Sequence, residues 1–255
     1  MLMTARHGGL TALDNGIPMA SLDLSWTTFR PAEGFYTSEV ASPKPWPIRT
    51  FLPSGYQPRY PYPLIVFFHG HGGNEEQILR LAPKLSRRNF ICIGLRGPTA
   101  LGRNAQDIPA YAWGDSQNRT LVEDYLLRAV EQTRRTYHVH SERIYLAGFA
   151  EGASMAYRLG LTFPEKLAGV ISLNGAMPRL DRPLFRMPEV RDLRAFIAHG
   201  IANNKVPLSL AKEDYRLLYS AGMSVQMRTY PTTQRIHPDM LRDLNRWIID
   251  RCNED

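Results

Sequence analysis

The chain has 255 residues, is 44% hydrophobic and 22% charged, and carries a formal net charge of +7. That composition belongs to a globular protein with a full core and excludes a disordered or fibrous chain. Only five of its 31 basic residues are lysine, and the densest arginine stretch is Arg179, Arg182, Arg186, Arg191 and Arg194. The other arginines are scattered without interleaved aromatics, so the basic surface reads as solvated and no nucleic-acid partner is expected. No segment has the roughly 20 consecutive apolar residues that a membrane span needs. The first 19 residues are broken by Gly8, Gly9, Asp14 and Pro18, unlike a signal peptide. Two cysteines, Cys92 and Cys252, cannot build a disulfide framework, and a cytoplasmic location is the expectation.

Residues 1–30 are polar and irregular and are expected to form an N-terminal arm, leaving 31–255 as one domain. Phe35–Val40 and Ile48–Leu52 read as two short strands joined by a turn rich in proline (Pro43, Pro45, Pro47). Leu64–Phe68 is an apolar run of strand length, followed by an amphipathic helix over 75–88 with Ile78, Leu79, Leu81 and Leu85 on one side. Phe90–Leu95 is the next strand, then a loop rich in glycine and proline, then a long helix over 120–137. Arg143–Ala147 reads as a strand and Ala153–Leu161 as a helix. Leu167–Leu173, Leu193–Ala198 and Ser224–Tyr230 follow as strands, with helices at 208–220 and 239–251. Strands alternating with helices predict an α/β fold: a mostly parallel central sheet with helices on both faces. In such sheets chemistry gathers beyond the carboxyl ends of the strands, so the residues just after each strand carry the functional reading.

After Arg143–Ala147 comes Gly148-Phe149-Ala150-Glu151-Gly152, leading into a helix. This is the frame G-x-S-x-G of a nucleophile elbow, with alanine at the serine position. After Leu64–Phe68 comes His69-Gly70-His71-Gly72-Gly73-Asn74, and after Leu193–Ala198 comes His199-Gly200-Ile201-Ala202-Asn203-Asn204-Lys205-Val206-Pro207. His237 lies between the last strand and the last helix. Together these segments resemble the α/β-hydrolases of the carboxylesterase/phospholipase, acyl-protein-thioesterase-like family, from about Gly34 to Asp255. The glycine loop resembles the HGxGG oxyanion loop of that family, and residues 199–207 resemble its HGxxDxxVP acid segment.

The resemblance implies an α/β-hydrolase fold and a triad order of Ala150 (nucleophile position), Asn203 (acid position) and His237 (base position). It implies an oxyanion hole made by backbone N–H groups of His71 and Glu151. It also implies no metal, no cofactor, and a monomer or homodimer. Tyr111, Trp113 and Met177 fall on loops beside these segments and are candidates for an acyl or aromatic subsite, ordinary loop packing being equally open.

Two of the three triad positions depart from the family. Alanine has no oxygen on which an acyl-enzyme can form, and the loss of the acid alone costs about 10⁴ in rate in the serine-protease case. Glu151 is accounted for by the helix dipole, Ser154 by packing, and Asp115 by capping a turn. Asp181 is a possible stand-in acid. The expectation is a non-catalytic homologue that binds a small ester-like or acidic ligand, or a protein partner. The alternative is a serine carboxylesterase acting on acyl esters whose nucleophile has been changed to alanine, which would explain Ala150 but not Asn203.

Overall fold

The structure is a computed structural model that describes residues 32–40, 46–114, 118–179 and 190–252. The expected N-terminal arm, the proline-rich turn after Val40, Asp115 and Asp181 lie outside the described residues. Eight strands form one sheet: β1 (Gly34–Val40), β2 (Trp46–Leu52), β3 (Tyr62–Phe68), β4 (Ile91–Leu95), β7 (Val139–Phe149), β8 (Gly169–Leu173), β9 (Arg194–Gly200) and β10 (Ser224–Tyr230). Their spatial order is β1-β2-β4-β3-β7-β8-β9-β10. β2 runs antiparallel to both neighbours, and every pairing from β4 to β10 is parallel. The expected mostly parallel sheet is therefore present.

The period of two along β3 builds both cores. Leu64, Val66 and Phe68 join one apolar cluster, and Ile65 and Phe67 join the other. The first cluster is closed by helices α3 (Arg119–Thr136), α4 (Glu151–Thr162) and α5 (Leu208–Ser220), through Tyr125, Leu126, Ala156, Leu159 and Leu218. The second is closed by α1 (Glu75–Leu79), α2 (Ala82–Leu85) and α6 (Pro238–Cys252), through Leu79, Leu85, Leu244 and Trp247. Helices thus cover both faces, as the alternation of elements predicts.

Two elements differ from the sequence reading. The single helix over 75–88 is two short ones, because Pro83 at the start of α2 has no N–H to continue the ladder. The glycine/proline-rich loop after β4 contains a hairpin, β5 (Thr99–Arg103) paired antiparallel with β6 (Pro109–Ala112). β5 is almost wholly exposed, so it lacks the apolar alternation by which a strand is recognised in sequence. No helix among the described residues is long and apolar enough to cross a membrane.

Candidate active site

The carboxyl ends of β3, β7, β8 and β9 bring the motif segments to one rim of the sheet. At the end of β7, Ala150 has φ 52° and ψ −114°, a conformation that L residues rarely adopt and that costs on the order of 1–3 kcal/mol. Its N–H donates to the Leu173 carbonyl at 3.0 Å, and its carbonyl accepts from Ala153 N–H at 3.0 Å. The flanking glycines are dictated by crowding. A Cβ on Gly148 would lie 2.0 Å from the Gly152 carbonyl oxygen, and one on Gly152 would lie 2.2 Å from that of Phe68. The strained turn of a nucleophile elbow is thus built in full around a methyl group.

The glycine loop after β3 is held from several sides. His69 is buried; its Nε2 accepts from Gly97 N–H at 2.9 Å, which leaves Nδ1 to donate to the Gly70 carbonyl at 2.8 Å. Burial lowers the His69 pKa from its usual value, so the ring is neutral, as this pattern requires. Trp113 Nε1 donates to the His69 carbonyl at 2.8 Å. Gly72 N–H donates to the Tyr111 carbonyl, and Tyr111 N–H returns a bond to that of Gly73, each at 2.9 Å. The hairpin that sequence reading missed is therefore the brace of this loop. Asn74 caps α1 through Gln77 N–H at 2.8 Å and donates to the Pro109 carbonyl at 2.9 Å.

Glu151 follows Ala150 at the start of α4. One carboxylate oxygen accepts from Trp113 N–H at 3.3 Å, and the other lies 3.4 Å from His71 Nδ1. Burial raises the Glu151 pKa, opposed by the Trp113 hydrogen bond and by His71. The side chains of the two residues expected to form the oxyanion hole are thus paired with each other.

The acid and base positions are wired differently from a triad. Asn203 is buried, and its Oδ1 accepts from the N–H groups of Lys205 and Val206 at 3.0 and 3.1 Å, closing its own loop. His199 completes that loop by donating from Nε2 to the Val206 carbonyl at 2.8 Å. His237 is partly exposed, and its Nδ1 accepts from Asp239 N–H at 3.2 Å, with Asp239 Oδ2 at 3.8 Å. Among the described residues no hydrogen bond joins Asn203 to His237. Arg242 also pairs with the Asp239 carboxylate, at 2.9 Å.

Asn174 organises this half of the site, and sequence reading placed it only within a loop. Fully buried at φ 55°, it accepts from Gly200 N–H at 2.7 Å and donates to the Arg235 carbonyl at 2.9 Å. Its own carbonyl accepts from Asn203 Nδ2 at 3.4 Å. It therefore ties the end of β8 to the loops that carry residues 203 and 237. The sequence shows only an asparagine after a strand; its positive φ and its long-range partners appear with the fold.

Of the candidate subsite residues, Tyr111 is half-buried, with the Arg96 guanidinium 4.8 Å from its ring centre. Trp113 and Met177 are buried, and Met177 N–H donates to Asp214 at 2.8 Å. Ser154 donates to the Ala176 carbonyl at 2.6 Å. No cluster of three metal-binding side chains occurs among the described residues.

A mostly parallel eight-stranded sheet, an elbow at the end of β7 and a braced glycine loop beside it define an α/β-hydrolase. The chain belongs to the phospholipase/carboxylesterase family, whose sequence model matches residues 57–250. It is 31% identical over 114 residues to acyl-protein thioesterase 1 of Mycosarcoma maydis, covering 42% of this chain and 48% of that one. It is 22% identical over 214 residues to a probable carboxylesterase of Oryza sativa subsp. japonica, covering 76% and 90%. The chain thus spans about half the length of the first of these relatives and nearly all of the second. Among solved structures, the Bacillus cereus carboxylesterase superposes with a TM-score of 0.61 at 19% identity, covering 74% of this chain and 88% of that one. A ferulic acid esterase from Anaeromyces mucronatus gives 0.64 at 13% identity, covering 86% and 90%.

Proposed function

We propose that this chain is a non-catalytic homologue of the serine carboxylesterases, binding a small ester-like or acidic ligand at the rim formed by Ala150, His71, Glu151 and His237. The observation that carries the reading is Ala150 itself: the elbow is complete and its apex bears no oxygen. The wiring of Asn203 supports it further, since the amide oxygen is engaged by its own loop and, among the described residues, makes no hydrogen bond to His237. A carbonyl oxygen held by the backbone N–H groups of His71 and Glu151 would be bound in the way an esterase binds its substrate, with no acyl transfer to follow. In enzymes stripped of their triad, the oxyanion hole and binding alone leave about 10³–10⁴ over water, far short of an esterase.

The second reading, an esterase whose nucleophile has been changed to alanine, is favoured by one feature. Strain at φ 52° is the geometry that presents a nucleophile, and an alanine gains nothing from it. The test is hydrolysis of p-nitrophenyl butyrate by the unmodified protein beside His237→Ala. Equal, background-level rates are expected. A rate well above the His237→Ala variant would overturn the non-catalytic reading.

A further inference from the structure

Helix α6 begins at Pro238, which makes His237 the residue that precedes its first turn. Proline suits the first helical position, where a backbone N–H would have no carbonyl to meet. The next residue keeps its N–H, and Asp239 donates it to His237 Nδ1 at 3.2 Å. Met240 N–H donates to the His237 carbonyl at 3.0 Å. Helix starts are closed in this way by side chains that reach the second or third N–H, most often through an oxygen of asparagine, aspartate or serine. Nδ1 of histidine lies as many bonds from Cα as Oδ1 of asparagine, so the imidazole can fill the same place. The Asp239 carboxylate does not compete for it. One of its oxygens is 2.9 Å from Arg242, and the other is 3.8 Å from Nδ1, beyond hydrogen-bond distance.

A ring nitrogen that accepts a hydrogen bond carries no proton, so a neutral imidazole held by Asp239 N–H bears its proton on Nε2. A triad needs the reverse, with Nδ1–H turned to the acid and a bare Nε2 ready to take the nucleophile's proton. We propose that His237 is the N-cap of α6, fixed in the Nε2–H tautomer, so that the base position of this chain presents a hydrogen-bond donor where an esterase presents a base. The inference deepens the non-catalytic reading, and rests on it for its consequence: the site is inert at position 237 as well as at 150 and 203. A serine placed at 150 alone would meet a nitrogen that is already protonated. His237 acts here as a positioning residue, holding the start of a helix that sends Met240, Leu241, Leu244, Trp247 and Ile248 into the core.

Two readouts test the proposal, and neither uses activity. Long-range proton–nitrogen magnetic resonance spectra of the unmodified protein are recorded at about pH 8, with the His237 signals assigned by their loss in His237→Ala. Nδ1 is expected at the shift of a bare ring nitrogen and Nε2 at that of a protonated one. The opposite pattern, or an even mixture of the two, overturns the tautomer. Urea unfolding then tests the cap. His237→Ala is expected to lower the midpoint, and His237→Asn, which discards the imidazole but keeps an acceptor at the same reach, to restore most of the loss. A His237→Ala midpoint equal to that of the unmodified protein, or a His237→Asn midpoint as low as that of His237→Ala, overturns the cap. Hydrolysis of p-nitrophenyl butyrate decides the non-catalytic reading by itself, so the two can fail separately.

Discussion

The two halves of the candidate site have been treated differently. On the oxyanion side, His69, Asn74, Trp113, Tyr111 and the glycines at 148 and 152 form a continuous set of hydrogen bonds and close contacts around Ala150. On the triad side, Asn203 is engaged in its own loop, and His237 Nδ1 faces Asp239. The contrast shows that the elbow and its loop are parts of the fold, since the strand ends could not pack without them. On the triad side, the Asn203 amide oxygen holds only its own loop, and His237 is partly exposed. In the non-catalytic reading proposed above, the shape of the elbow outlasts the groups it would present.

The largest expected effect tests the structural duty of the elbow. Gly152→Ala would place a Cβ 2.2 Å from the Phe68 carbonyl oxygen and 2.5 Å from that of His69. Neither neighbour is a flexible side chain, so a loss of about 3 kcal/mol or more is expected in urea unfolding. Asn174→Ala comes next, at about 2–3 kcal/mol by the same measurement, because it leaves Gly200 N–H and the Arg235 carbonyl without their partner. Losing as much at 174 as at 152 would show that the triad half is as integral to the fold as the elbow.

Trp113→Phe keeps one aromatic ring but removes both the bond to the His69 carbonyl and part of a fully buried indole, for a cost of about 2 kcal/mol. Ala150→Gly has the opposite sign. Relief of the positive φ is expected to stabilise the protein by roughly 0.5–1 kcal/mol, because the Cβ of Ala150 bears the strain of that conformation.

The pH dependence samples both halves at once. Burial holds the pKa values of His69 and His199 below the usual 6.5, so the folded state binds fewer protons than the unfolded chain. Their stability contribution is complete above about pH 6.5 and erodes as the pH falls through the interval below it. Thermal unfolding followed from pH 7.5 to 5 should show this decline, and His199→Gln should flatten it in part. Glu151 works in the reverse sense. Its raised pKa favours the folded state below the usual 4.5 and loses that benefit as the pH rises through the folded value. Glu151→Gln therefore gains on the unmodified protein as the pH rises above 4.5.

The alternation of apolar runs with amphipathic segments made the sheet and its flanking helices legible in the sequence. The spacing of Gly148, Ala150 and Gly152 after a strand made the elbow legible too. What stayed hidden were features that depend on neighbours distant in the chain. The β5–β6 hairpin is exposed and lacks an apolar face, yet through Tyr111 and Trp113 it braces the oxyanion loop. Asn174 is one polar residue after a strand until β9 and the loops carrying Asn203 and Arg235 converge on it. Asp239 becomes a neighbour of His237 only when the start of α6 turns its carboxylate to 3.8 Å from the imidazole. Glu151, explicable in sequence by the helix dipole alone, is also engaged by Trp113 N–H and by His71, both distant in the chain.

The account turns on whether the shape for ester chemistry survives the loss of its reacting groups. The most direct measurement is hydrolysis of p-nitrophenyl butyrate by Ala150→Ser and by Ala150→Ser/Asn203→Asp, in parallel with the unmodified protein. The account predicts little activity with serine alone and clear activity, abolished by His237→Ala, when the acid is restored with it. A correctly folded double variant that stays at the level of the parent would contradict it, showing that the oxyanion side is no longer built to bind an ester.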